Sequence, residues 1–66
     1  MTGEEFKKAR QLKHLTQQRL GEMLGYKGRT AERMIQAWEY GERGIPAKYY
    51  RKLSEILEIP LEKFIP

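Results

Sequence analysis

The stretch GYKGRTAERMIQAWEYG, residues 25–41, decides how the chain is read. It opens on a glycine and a basic loop, continues in a helical pattern and closes on Trp38-Glu39-Tyr40-Gly41. At about 100° per residue, Ala31, Met34, Ile35 and Trp38 fall in one apolar sector, the pattern of a helix face turned to a core. Arg29, Arg33, Gln36 and Tyr40 fall on nearly the opposite side, with Glu32 and Ala37 flanking them. Arginine pairs with guanine O6 and N7 through two hydrogen bonds, and glutamine pairs with adenine in the same way. Exposed helix faces also carry charge merely because water solvates it, so the outer face takes its meaning from the rest of the chain.

Outward from this stretch, helical patterns alternate with turn residues. Thr2 can cap a first helix with Glu4 and Glu5 in its opening turn, and Phe6, Ala9 and Leu12 recur at helical spacing. Thr16 is a good N-cap for a second helix with the apolar stripe Leu20, Met23 and Leu24, and Gly25 stops it at the usual C-terminal position. Gly21 lies in the middle of that helix, where glycine costs about 1 kcal/mol relative to alanine, a cost that makes sense if another backbone approaches closely there. The third helix starts between Lys27 and Thr30 and ends before Gly41. After GERGIP, Pro46 fits the first turn of a fourth helix with Tyr49 or Tyr50, Leu53, Ile56 and Leu57 turned inward. Pro60 can open a short last helix carrying Leu61, Phe64 and Ile65. No segment alternates with period two, so the expectation is an all-α domain of five short helices over residues 1–66.

Sixty-six residues supply one small core. Thirteen Lys/Arg against nine Glu give a net charge of +4, and 12 of those bases lie in residues 1–52 beside only 6 acids, a surplus that suits a polyanionic partner. The absence of cysteine fits a reducing compartment. No apolar run approaches the roughly 20 residues of a membrane span, and the N-terminus lacks the apolar region of a secretory signal, so a cytoplasmic chain without a membrane partner is expected. His14, the one histidine, has no convergent partners for catalysis or a metal. The glutamate pairs read as helix-surface charge, Ser54 lacks a neighbouring base, and no glycine-rich phosphate loop follows a strand. The expectation is no enzyme, no metal and no cofactor.

The order of three segments carries a resemblance. LTQQRLGEMLGY (15–26), IQAWEYG (35–41) and RKLSEILEIPLEKFI (51–65) together resemble the lambda-repressor/Cro-type (XRE-like) helix-turn-helix domains. Gln17, Gly21 and Gly25 match the family's first spacing, and Ile35, Trp38, Glu39 and Gly41 match its second. Phe6, Ala9 and Arg10 match its first helix. The resemblance implies a compact bundle in which helices two and three form the motif, and sequence-specific binding of double-stranded DNA by a small repressor. It implies that the third helix, about 28–40, lies in the major groove with Arg29, Thr30, Arg33 and Gln36 at base edges. Phosphate contacts are expected from Gln17, Lys27, Tyr40, Arg43 and Lys48. An ion pair of Arg10 with Glu39 is implied to tie the first helix to the end of the third. One domain offers few base contacts, so a homodimer on a two-fold operator is expected. Leu61, Phe64 and Ile65 are candidates for its interface, although core closure is the better reading of Leu61 and Phe64.

Two departures from the family's pattern stand out. Twelve residues, 26–37, separate Gly25 from Trp38, a surplus of about one helical turn. It either extends the third helix at its N-terminus or lengthens the turn through Lys27-Gly28-Arg29. Glu58 stands where many relatives carry glycine. The alternative function is a protein-interaction module on the same fold, such as an antitoxin or a partner-docking domain.

Overall fold

Two threonines start the first two helices. In the computed structural model, which describes residues 1–66, the Thr2 hydroxyl accepts from the Glu5 N–H at 3.1 Å and the Glu5 carboxylate accepts from the Thr2 N–H at 2.8 Å. This capping box satisfies two donors that a helix start leaves open, and α1 follows over Gly3–Leu12. The Thr16 hydroxyl accepts from the Arg19 N–H at 3.0 Å and begins α2, Gln17–Met23. α3 spans Gly28–Glu39. A 3-10 turn, Ala47–Tyr49, leads directly into α4, Tyr50–Leu57, and a second 3-10 turn covers Leu61–Lys63. The chain is all-α with no strand.

The helix count differs from the expected five. Pro46 precedes the 3-10 turn of Ala47–Tyr49 instead of occupying the first turn of α4. The expected fifth helix is only the turn Leu61–Lys63, with Pro60 just before it. Only three residues separate Pro60 from the buried Phe64, too few to repay helix nucleation, whereas a single 3-10 turn closes over that length.

Phe6, Leu20, Leu24, Ile35, Trp38, Leu53, Leu57 and Phe64 form the core. Phe64, stacked on Tyr50 at 5.7 Å between ring centroids, closes it from the C-terminal side, while Leu61 is half-buried and Ile65 exposed. Leu12 does not join this cluster and is 78% exposed. It lies roughly 120° around α1 from Phe6, whereas Arg10 lies only about 40° away. The inward stripe of α1 is therefore Phe6 with Arg10, and a charged residue takes a place that an apolar pattern assigned elsewhere.

α2 and α3 cross where Gly21 meets Ala31. A Cβ at residue 21 would stand 2.7 Å from the Ala31 Cα and carbonyl carbon, inside any tolerable contact. The turn between the helices is only Leu24–Lys27, because Gly25 at φ +106° and Gly28 at φ +54° adopt the left-handed backbone that side chains disfavour. Tyr26 pins that turn by packing edge-on against Trp38 and Tyr49, with ring centroids 6.4 and 5.8 Å away. The surplus residues before Trp38 therefore lie in α3, which is 12 residues long, and not in a longer turn. Glu58 takes the left-handed conformation at φ 55° that ends α4, the conformation glycine adopts most easily, and its carboxylate pairs with the Lys13 ammonium.

Alanine is the better helix former by about 1 kcal/mol, yet Gly21→Ala is expected to destabilise the protein by about 1–3 kcal/mol because the methyl meets backbone. A lower urea midpoint at unchanged slope is the expected result, and a rise would remove the close crossing. Acid gives a second test. Hydrogen bonds from the Thr2 backbone and hydroxyl hold the Glu5 carboxyl below its ordinary 4.5, and the Lys13 ammonium does the same for Glu58. Depressed folded-state pKa values contribute stability above pH 4.5 that is lost as the pH falls below it. The melting temperature should hold from pH 7 to about 5 and then drop, and Glu58→Gln should flatten part of that drop.

Candidate nucleic-acid interface

α3 is held along its inner side and open along its outer one. Ala31, Ile35 and Trp38 are buried, and Met34 is half-buried. Arg29, Arg33 and Tyr40 are exposed and Gln36 is half-buried. At helical spacing these four make one row about 16 Å long, at 1.5 Å per residue. Thr30, also exposed, lies roughly 60° to one side of Arg33, and exposed Glu32 roughly 100° to the other.

The start of α3 differs electrically from that of α1. Its N-cap residue, Lys27, supplies no side-chain hydrogen bond, and its first turn holds Arg29 and no acid. Helix starts ordinarily attract carboxylates, because their free N–H groups and the aligned peptide dipoles are positive there. α1 follows that rule with Glu4 and Glu5. At α3, two cationic side chains are added to an end that is already positive.

The C-terminal end of α3 is locked by a buried network. Arg10 Nε donates to Glu39 Oε2 at 2.6 Å, and Arg10 Nη2 donates to Glu39 Oε1 at 3.3 Å. Arg10 Nη1 donates to the Leu15 carbonyl at 2.7 Å, so one guanidinium ties α1 to the α1–α2 loop and to α3. Gln17 Nε2 donates to Glu39 Oε1 at 3.0 Å and adds the first residue of α2. Gln17 is thus turned toward Glu39, with its second amide N–H left over. Gly3 completes the lock: a Cβ there would press into the Trp38 and Glu39 carbonyls.

The expected site residues fall into separate places. Arg29, Thr30, Arg33, Gln36 and Tyr40 share the outer side of α3. Lys27 stands at its N-terminal end, while Tyr40, its C-cap residue, stands at the other. Exposed Arg43 follows in the loop, its backbone N–H donating to the Ala37 carbonyl at 3.4 Å. Lys48 lies beyond that loop, its ammonium 5.2 Å from the centroid of the Tyr49 ring. The resemblance did not indicate that Gln17 hydrogen-bonds Glu39, and no local pattern signals a contact across 22 positions. Gly3 was missed too, although glycine inside a first helical turn is itself a signal of close approach.

A helix-turn-helix family model, of Cro/C1 type, matches residues 6–64. The chain belongs to this helix-turn-helix family. It is a family of DNA-binding transcription regulators. No curated protein and no solved structure matches the chain. No helix is long and apolar enough to cross a membrane.

Because Arg10 and Glu39 are each 8% exposed, removing one strands the other's charge. Glu39→Ala is expected to cost about 3–5 kcal/mol, and Arg10→Met with Glu39→Met should be far less harmful than either single change. Urea unfolding of the three variants checks this, and a double variant no better than the singles would deny the pair its central place.

Proposed function

We propose that the chain is a cytoplasmic, sequence-specific reader of double-stranded DNA, and that it represses transcription by occupying an operator. The observation that carries this reading is the row Arg29, Arg33, Gln36 and Tyr40 on the open side of a helix locked at both ends. α3 enters the major groove, and Arg33 and Gln36 meet base edges, with Arg29 and Thr30 reading further toward the N-terminal end. Lys27, Tyr40, Arg43 and Lys48 contact phosphates, as does Gln17 through its remaining amide N–H. The lack of cysteine suits the reducing conditions of the cytoplasm.

A row of four side chains reads few base pairs, so useful affinity calls for two copies on a two-fold operator. Their half-sites would lie about one helical turn, roughly 34–36 Å, apart. Exposed Ile65 is the C-terminal side chain available to that contact.

Selection from a randomised duplex library at near-physiological salt tests the reading, and an enriched two-fold motif is the expected outcome. Arg33→Ala should lower affinity for that motif by about 1–3 kcal/mol and relax one position, whereas Lys27→Ala or Arg43→Ala should weaken all sequences alike and reduce the salt slope by about 1. Binding that resists salt, with no enriched motif, would instead mark α3 as a surface for a protein partner.

A further inference from the structure

The outer side of α3 holds one group that fits poorly with a polyanion. Glu32 is exposed and has no cation within 4.0 Å, since the two ion pairs in the protein are Arg10–Glu39 and Lys13–Glu58. Arg29, three positions back on the same helix, is within pairing reach but forms no ion pair with it. Glu5 is engaged in the capping box, Glu22 by the Gln18 amide at 3.2 Å, and Glu39 and Glu58 in the ion pairs, while Glu4, Glu42, Glu55 and Glu62, like Glu32, have no such partner but lie outside α3. Glu32 is the one carboxylate of α3 left without a partner. It lies in the N-terminal half of the helix, beside Arg33 and one turn from Arg29 and Gln36, on the edge nearer to Glu39.

We infer that Glu32 is a specificity-determining residue that selects a cytosine, and this rests on the reading of α3 as the base-reading helix. A carboxylate accepts hydrogen bonds and donates none. The major groove offers donors only at the cytosine N4 and adenine N6 amines. Adenine sets its N7 acceptor beside N6, which repels a carboxylate, whereas cytosine presents the amine without an acceptor on its own base. At guanine and thymine the carboxylate meets only acceptors and a methyl group, so Glu32 rejects them. Arg33, next along the helix, is suited to a guanine. The two adjacent side chains therefore demand opposite hydrogen-bonding patterns, and together they define a G·C-containing core for the half-site.

The experiment measures affinity for the motif enriched by wild type and for all single-base variants of it, with wild-type protein, Glu32→Gln and Glu32→Ala. The preference for cytosine at one position should fall roughly 5- to 150-fold in both variants, while affinity for unrelated duplexes rises because a negative charge has gone. A duplex with 2-pyrimidinone at that position lacks the 4-amino group; it should cost wild type the same factor and cost Glu32→Gln nothing more. That non-additivity would not arise from a merely structural role. If both variants bind every duplex more tightly by one common factor, Glu32 only repels phosphate and the assignment is overturned. Failure of wild type to enrich any motif would overturn both the assignment and the reading of α3, whereas a motif sensitive to Arg33→Ala and indifferent to Glu32 overturns the assignment alone.

Discussion

The guanidinium of Arg10 is the constraint on which the rest of the structure depends. Its donors reach the Glu39 carboxylate and the Leu15 carbonyl, and Gln17 joins through Glu39. Three helices and one loop thus converge on one planar cation. A chain of this length has only eight large apolar residues at its centre, and apolar contacts are indifferent to direction. Five donors in a fixed fork are not indifferent. The hydrophobic core makes the helices associate; the Arg10 network sets the angle at which the C-terminal end of α3 leaves it.

The opposite end of α3 is positioned by sterics. Gly21 lets the backbone of α2 rest on Ala31, and the left-handed Gly25 and Gly28 reverse the chain through the four residues Leu24–Lys27. Because the turn stays short, the surplus residues lengthen α3 between two anchored ends instead of hanging from it. Ala31 and Glu39 are eight residues apart, about 12 Å along the axis. Arg33 and Gln36 are carried on that span and Arg29 lies about half a turn before it in the same helix, so the spacing of the three is a property of the helix and not of a mobile loop.

Much of this was legible in the sequence. Thr2, Thr16 and Gly25 mark helix ends because capping chemistry is local, and the apolar positions of α2, α3 and α4 follow because periodicity is local as well. What escaped were matters settled across the chain. Leu12 looked like a core residue at helical spacing, but Arg10 claimed the inward position once Glu39, 29 residues away, was there to neutralise it. Whether the surplus before Trp38 lay in helix or turn depended on the backbone angles of Gly28. Glu58 adopts the left-handed angle without being a glycine, with Lys13, 45 positions earlier, as its ion-pair partner. Among the candidate interface residues, the outer face of α3 was readable from its angles alone, whereas the inward turn of Gln17 was not.

A buried ion pair is a weak device for stability, since two well-packed apolar side chains in its place are often as good or better. Its presence in so small a core therefore points to geometry as the quantity preserved. Base reading by two or three side chains loses its discrimination when the helix rocks, because paired hydrogen bonds to a base edge demand alignment as well as distance. An apolar substitute for Arg10 and Glu39 would keep the core dry and leave α3 freer to slide over it. The Gln17 bond adds the start of α2, the element that faces the DNA backbone in a docked helix-turn-helix, to the same network. The angle of α3 and the position of α2 are then set by one carboxylate, which is the arrangement expected where backbone contacts and base contacts must register together.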